Sequence, residues 1–157
     1  MRRRTLLAAT ALGLTGCTSY AESSDEELGY GEAYLRPDDV EITVERPRTT
    51  EEISFGRQTF TPDHGARYLV VDVEVTNRSD SEGSTPPTGD FYAGEARRPV
   101  FSRGTRAMDR AYEDASLASG DTKRGTLVFD VELDARVGDS PVEYEHDMWP
   151  WSATWST

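Results

Sequence analysis

The feature that most limits what this chain can fold into is a period of two. Leu69, Val71, Val73 and Val75 alternate with Val70, Asp72, Glu74 and Thr76; Leu127, Phe129, Val131 and Leu133 alternate with Val128, Asp130 and Glu132. Successive side chains of a strand point to opposite faces, so each run predicts a strand with one face turned to a core. Val40, Ile42 and Val44 repeat the pattern, as do Val142, Tyr144, His146 and Met148, and Ile53 with Phe55 make a shorter run. Turn residues punctuate these runs: Pro62-Asp63-His64-Gly65, a long loop from Asn77 to Gly89, and Gly94-Glu95 between Phe91-Tyr92-Ala93 and Arg98-Pro99-Val100-Phe101. Residues 102–120 read as a loop with one helical turn at 106–113. No helical period separates the strands, which argues against a parallel α/β sheet. The expected fold is all-β, with seven or eight strands over residues 34–157 in two antiparallel sheets packed face to face.

The N-terminus reads as an address. Arg2, Arg3 and Arg4 precede the nine-residue apolar stretch Leu6 to Leu14. That stretch is too short to span a bilayer and the right length for the apolar part of a signal peptide. Arg3-Arg4-Thr5-Leu6-Leu7 is similar to a twin-arginine export core, but Arg2 stands where Ser or Thr is common, so the general secretory route stays open. Leu14-Thr15-Gly16-Cys17 is similar to a lipobox, in which small residues admit a signal peptidase and the Cys17 thiol takes lipid. The expected organisation is a signal peptide over 1–16, a lipidated, disordered acidic tether over 17–33, and the sandwich over 34–157. A coil of about 16 residues averages roughly 20–25 Å end to end.

Charge narrows the partners. The 157 residues carry 29 Asp and Glu against 17 Lys and Arg, a net charge of −12. Loss of residues 1–16 removes Arg2, Arg3 and Arg4 and leaves 14 basic against 29 acidic residues, or −15. Nucleic-acid binding rests on Lys and Arg neutralising phosphates, so that class of partner is not expected. Lys123 is the single lysine, beside 16 arginines. An acidic surface so poor in lysine resembles proteins of halophilic archaea. At about 1 M salt the Debye length is near 3 Å and self-repulsion costs little. Leu, Ile, Val and Phe total only 28 residues, a low share that signals disorder in many chains. Here the alternating runs and the placement of all 15 aromatics beyond residue 19 oppose that reading.

Two segments carry a family likeness. Tyr68-Leu69-Val70-Val71-Asp72-Val73-Glu74-Val75-Thr76-Asn77-Arg78-Ser79-Asp80 has the strand-and-turn pattern of the DUF4352 domain of exported lipoproteins. Leu117-Ala118-Ser119-Gly120, followed by Arg124-Gly125-Thr126-Leu127-Val128-Phe129-Asp130-Val131, is similar to that family's second element. The resemblance covers roughly residues 38–147. It implies an immunoglobulin-like sandwich and no settled activity.

Residues able to do chemistry are few. The single cysteine, Cys17, is the lipid acceptor, so neither a disulfide nor a blue-copper thiolate is available. His146 and Met148, with His64 and Met108, offer an imidazole and thioether set for copper; the competing reading is a core histidine beside a core methionine. No Gly-x-Ser-x-Gly elbow is present, and residues 77–83 lack the spacing of a calcium hand. Asn77-Arg78-Ser79 is a glycosylation sequon built on the only asparagine, which also serves as a strand-end turn residue. Trp149, Trp151 and Trp155 share one strand phase. They are expected either to close the core on a final edge strand or to stand exposed as an aromatic platform. The functional expectation is a membrane-anchored, outward-facing, non-catalytic module with no cofactor, binding an envelope protein or glycan. A copper-binding lipoprotein using His146 and Met148 is the second reading, and a hydrolase the third.

Overall fold

The computed structural model describes residues 24–132 and 140–157. Arg3, Arg4, Leu14, Thr15, Gly16 and Cys17, with the whole signal and lipobox reading, lie outside them. In chain order the strands are β1 (Ser24–Gly29), β2 (Ala33–Leu35), β3 (Val40–Val44), β4 (Arg48–Thr50), β5 (Ile53–Phe55), β6 (Gln58–Phe60) and β7 (Ala66–Asn77). There follow β8 (Gly83–Ser84), β9 (Phe91–Ala93), β10 (Arg98–Pro99), β11 (Ser116–Leu117), β12 (Thr122–Glu132), β13 (Val142–Glu145) and β14 (Trp151–Ser156). One short helix, α1 (Ser102–Arg106), precedes the loop to β11.

The two longest alternating runs form the spine. β7 and β12 pair antiparallel from Ala66↔Glu132 to Thr76↔Thr122. β3 lies along the other edge of β7, from Val40↔Asn77 to Val44↔Val73, with β2 outside it. β4 continues the line of β3 along β7 at Arg48↔Val70. The break between them falls at Pro47, which has no N–H for the ladder; Glu45 still donates to the Asp72 carbonyl at 2.9 Å.

The second sheet runs β1-β14-β13-β9-β10. Leu69, Val71, Val73, Leu127 and Phe129 of the first sheet meet Phe91, Val142, Tyr144 and Trp155 of the second in one buried cluster. Each fully buried side chain of this size contributes about 1.5–3 kcal/mol. The expected all-β, immunoglobulin-like sandwich is the fold observed.

The details differ in four places. Ser24–Gly29 is a strand, not part of a tether to residue 33: it adds parallel to β14, from Ser24↔Trp151 to Gly29↔Ser156. Packing drives this against a poor strand sequence, because Leu28 and Tyr30 lean on the core. β14 therefore sits between β1 and β13 and is not an edge, and Pro150 precedes it. Val70 and Val128, placed outward by alternation, are buried. The β5–β6 hairpin and α1 cover that face, forming a second cluster with Ile53 and Tyr68, where the Tyr68 and Phe101 rings stack at 5.4 Å. The helical turn expected at 106–113 is α1, earlier in the chain. Residues 110–112 instead bond to β12: the Thr126 N–H donates to the Arg110 carbonyl (2.7 Å), and Tyr112 N–H to the Thr126 carbonyl (3.0 Å).

Candidate functional site

β13 ends at Glu145, and the chain turns through residues 146–150 into β14. His146 N–H donates to the Trp151 carbonyl at 2.9 Å and Trp151 N–H to the Trp149 carbonyl at 2.7 Å, which pins the turn. Trp149 then stacks on Trp151, with centroids 5.7 Å apart and planes 16° from parallel. The His146 ring meets Trp151 edge-on at 5.1 Å, and its Nδ1 accepts the Met148 N–H at 3.1 Å. The alternation reading placed His146 on the inward face or at its rim, in phase with Met148. The strand stops before either, so His146 is half-buried at the rim and Met148 is 78% exposed. His64 lies exposed in the turn before β7, and Met108 packs in the second cluster, so the four imidazole and thioether groups do not converge. Among the described residues no group of three or more His, Cys, Asp or Glu side chains is arranged to hold a metal ion.

The three tryptophans part company. Trp155 is fully buried, and its indole N–H donates to the Glu32 carbonyl at 2.9 Å. Trp151 is half-buried, and Trp149 is 55% exposed. Beneath Trp151 lies a polar cluster with no signature in the sequence. The Arg36 guanidinium is buried, 5.6 Å from the Trp151 centroid and 6.0 Å from that of Tyr144, and is held by Asp38 at 3.0 and 2.5 Å. The Tyr144 hydroxyl has no hydrogen-bond partner among the described residues, and burial raises its pKa. Asp90 is also buried. Desolvation raises its pKa, His146 and Arg36 oppose that, and Asp147 and Asp114 add to it. Arg36 and Asp90 are far apart in the chain and follow no motif spacing, so only the fold brings them together.

On the outer face of the second sheet a groove of about 580 Å³ runs beside this end. Five carboxylates line it: Asp25, Glu26 and Glu27 from β1, with Glu143 and Glu145 from β13. Trp149 and Trp151 line it too. Its one cation, Arg97, is already engaged, by Glu143 at 2.8 Å and by Glu145. Residues 25–27, read in the sequence as part of the acidic tether, thus supply part of a groove wall. At the far end of the sandwich Phe55, Phe60, Arg103 and Arg106 line a second groove of about 660 Å³.

Asn77 takes the strand-end turn position that its place in the sequence offered. It is fully buried at the end of β7. Its Nδ2 donates to the carbonyls of Ser81 (2.8 Å), Leu117 (3.0 Å) and Ala118 (3.2 Å), and its Oδ1 accepts from Ser79 N–H (3.0 Å) and Ser79 Oγ–H (2.7 Å). It is a structural turn residue, and a glycan on that nitrogen would displace these carbonyls.

Architecture and surface define an immunoglobulin-like β-sandwich with an aromatic end and an acidic groove. The chain belongs to the family described as "Domain of unknown function (DUF4352)", which it matches over residues 32–154. No curated protein is matched. Among solved structures, the chain is similar to MPT63, a secreted protein from Mycobacterium tuberculosis, at 16% identity and TM-score 0.63, over 87% of this chain and 100% of that one. It is similar to a "conserved hypothetical protein" from Bacillus anthracis at 15% identity and TM-score 0.55, over 74% and 87% of the two chains. It is also similar to "a putative lipoprotein (ycdA)" from Bacillus subtilis at 12% identity and TM-score 0.54, over 82% of this chain and 38% of that one. At these identities the likeness is one of fold.

Proposed function

We propose that this chain is an exported lipoprotein, held to the cell membrane by lipid on Cys17, whose sandwich faces the exterior as a non-catalytic binding module. The N-terminal pattern of basic residues, short apolar stretch and Leu14-Thr15-Gly16-Cys17 supports export and lipidation. The structural neighbours include "a secreted protein" and "a putative lipoprotein", in keeping with that address.

The observation that carries the binding role is the groove of the second sheet. Exposed aromatic surface is costly to leave in water, and here it adjoins carboxylates that far outnumber the one arginine beside them. Such a lining suits an envelope protein or glycan presenting amines or hydroxyls to the carboxylates and an apolar edge to the half-buried Trp151. The test is capture from detergent-solubilised envelope at native salt, with the mature chain as bait. A partner retained by wild type and by Phe55→Ser, but lost with Glu27→Gln/Glu143→Gln/Glu145→Gln, is the expected result. Equal capture by the groove variant overturns the assignment of the surface. Replacing Cys17 by Ser should move the chain out of the membrane fraction; unchanged fractionation overturns the anchor.

A further inference from the structure

The parallel addition of β1 decides which end of the sandwich the lipid holds. Ser24, the first residue of β1, is the register partner of Trp151. Neighbouring strands lie about 4.8 Å apart, so the chain enters the domain beside Trp151 and two residues from Trp149. Seven residue steps separate Cys17 from Ser24. Seven steps span at most about 25 Å, whatever path they take. β7 alone, with 12 residues, is about 40 Å long. The end carrying Trp149 is therefore the one tied closest to the lipid, and the end carrying Phe55 lies most of a domain length away.

That proximal end is also where apolar surface is left in water. Among the described residues the exposed large hydrophobics are Leu35 (51%), Phe55 (58%), Met148 (78%) and Trp149 (55%). Met148 and Trp149 sit in the turn before β14. Leu35 ends β2, one residue before Arg36, whose guanidinium lies over Trp151. Three of the four thus gather at the end where the tether arrives. An indole with one wet edge is the side chain best suited to the boundary between headgroups and acyl chains; the Met148 thioether next to it in the chain, and Leu35 on the first sheet at the same end, add apolar area. We infer that Leu35, Met148 and Trp149 rest on the lipid surface that holds Cys17, a step that depends on the lipid anchor proposed above.

The charge around the patch sets the conditions. Asp25, Glu26, Glu27 and Asp147 stand exposed beside it. Anionic headgroups repel them across a Debye length of about 10 Å at 0.1 M salt, and of only about 3 Å at 1 M. Contact is therefore expected on a zwitterionic surface at any salt that keeps the domain folded, and on an anionic one only in concentrated salt.

The test is to reconstitute the purified, exported lipoprotein into phosphatidylcholine vesicles, with and without acyl chains brominated near the carbonyl. Bromine should quench tryptophan emission, and Trp149→Phe should lose most of that quenching. Equal emission with and without bromine, or quenching that survives Trp149→Phe, overturns the inference. The mass of the Cys17 peptide is read on the same sample. A lipid adduct with unquenched emission overturns the docking alone, whereas an unmodified Cys17 overturns the anchor and the docking with it. A Trp149 emission shift that needs a solubilised envelope protein and is absent with lipid assigns the patch to a protein partner, and also overturns it.

Discussion

Asn77 shows how much one side chain can hold at the loop end of the sandwich. Its carboxamide serves three carbonyls and both donors of Ser79, while its backbone N–H donates to Asp121 and its carbonyl accepts from Gly120. Asn77→Ala keeps the backbone bonds and strands the other groups in a buried site, at about 1–3 kcal/mol for each that water cannot reach. The expected loss is about 2–4 kcal/mol, read from the denaturant midpoint at constant slope. A variant within 0.5 kcal/mol of wild type would mean that water replaces the carboxamide freely. Mass spectrometry of the exported protein should find the Asn77 peptide unmodified. Asp90 behaves differently, because its burial opposes the charge it carries. Its pKa is raised in the folded state, so protonated Asp90 favours folding. That contribution is fully present below the unfolded carboxyl pKa of about 4 and is lost as pH rises through the folded value. Asp90→Asn should therefore stabilise the domain at pH 7 relative to wild type, with the difference shrinking toward pH 3.5. Denaturant midpoints across that range check the sign, and a difference that does not vary with pH refutes it.

At the scale of elements, the outer edge of β12 is closed by chain that is not itself a strand. Arg110 and Tyr112 bond to Thr126, Phe101 N–H donates to the Val128 carbonyl at 2.7 Å, and Val128 N–H donates to Thr105 Oγ1 at 3.0 Å. Open strand edges invite pairing between molecules, and this cover removes one such edge. Gly125 makes it possible: a Cβ there would lie 2.4 Å from Tyr112 Cα, a backbone atom that cannot swing aside. Gly125→Ala is expected to cost about 3 kcal/mol, lift residues 110–112 from β12 and promote aggregation. Light scattering beside the unfolding curve reads both effects; a soluble variant with an unchanged midpoint contradicts the account. The elements legible in the sequence are those whose alternation coincides with burial: β3, β7, β12 and β13. The β9–β10 hairpin was legible from its Gly94-Glu95 turn. β1 was not, because Asp25, Glu26 and Glu27 resist strand formation locally and only the ladder with β14 and the packing of Leu28 recruit them. Val70 and Val128 were assigned to solvent because a period of two cannot show that α1 and the β5–β6 hairpin will cover the outer face. The tryptophan spacing announced an aromatic segment. Which ring would be buried depended on where β14 begins, and that is set by the turn bonds of His146 and Trp151.

For the whole molecule the balance is between a lean core and a large like charge. The central cluster leans on valine, with few larger aliphatics, and takes much of its volume from Tyr34, Tyr144, Phe91, Phe129 and Trp155. Among the described residues the ion pairs other than Arg36–Asp38 lie at or near the surface, as with Arg48–Asp72, Arg78–Glu41 and Arg98–Glu132, where each contributes between nothing and about 1 kcal/mol. Salt weakens those attractions, which taken alone would destabilise the domain. It also weakens the repulsion among the carboxylates left over, and with 29 acidic residues against 14 basic ones after loss of residues 1–16 the repulsive pairs outnumber the attractive ones. The second effect wins, so stability should rise with salt. The rise should be steepest below about 0.5 M, where the Debye length shortens most. The mature chain is expected to lose its near-ultraviolet circular dichroism on dialysis into dilute buffer and to regain it in molar potassium chloride. Potassium sulfate at matched ionic strength separates screening from exclusion of the salt from apolar surface, since sulfate adds the latter and chloride does little of it. Equal recovery in the two salts points to screening as the cause. A spectrum unchanged between dilute buffer and molar salt would show that the acidic surface is not what limits this fold, and would count against adaptation to concentrated salt.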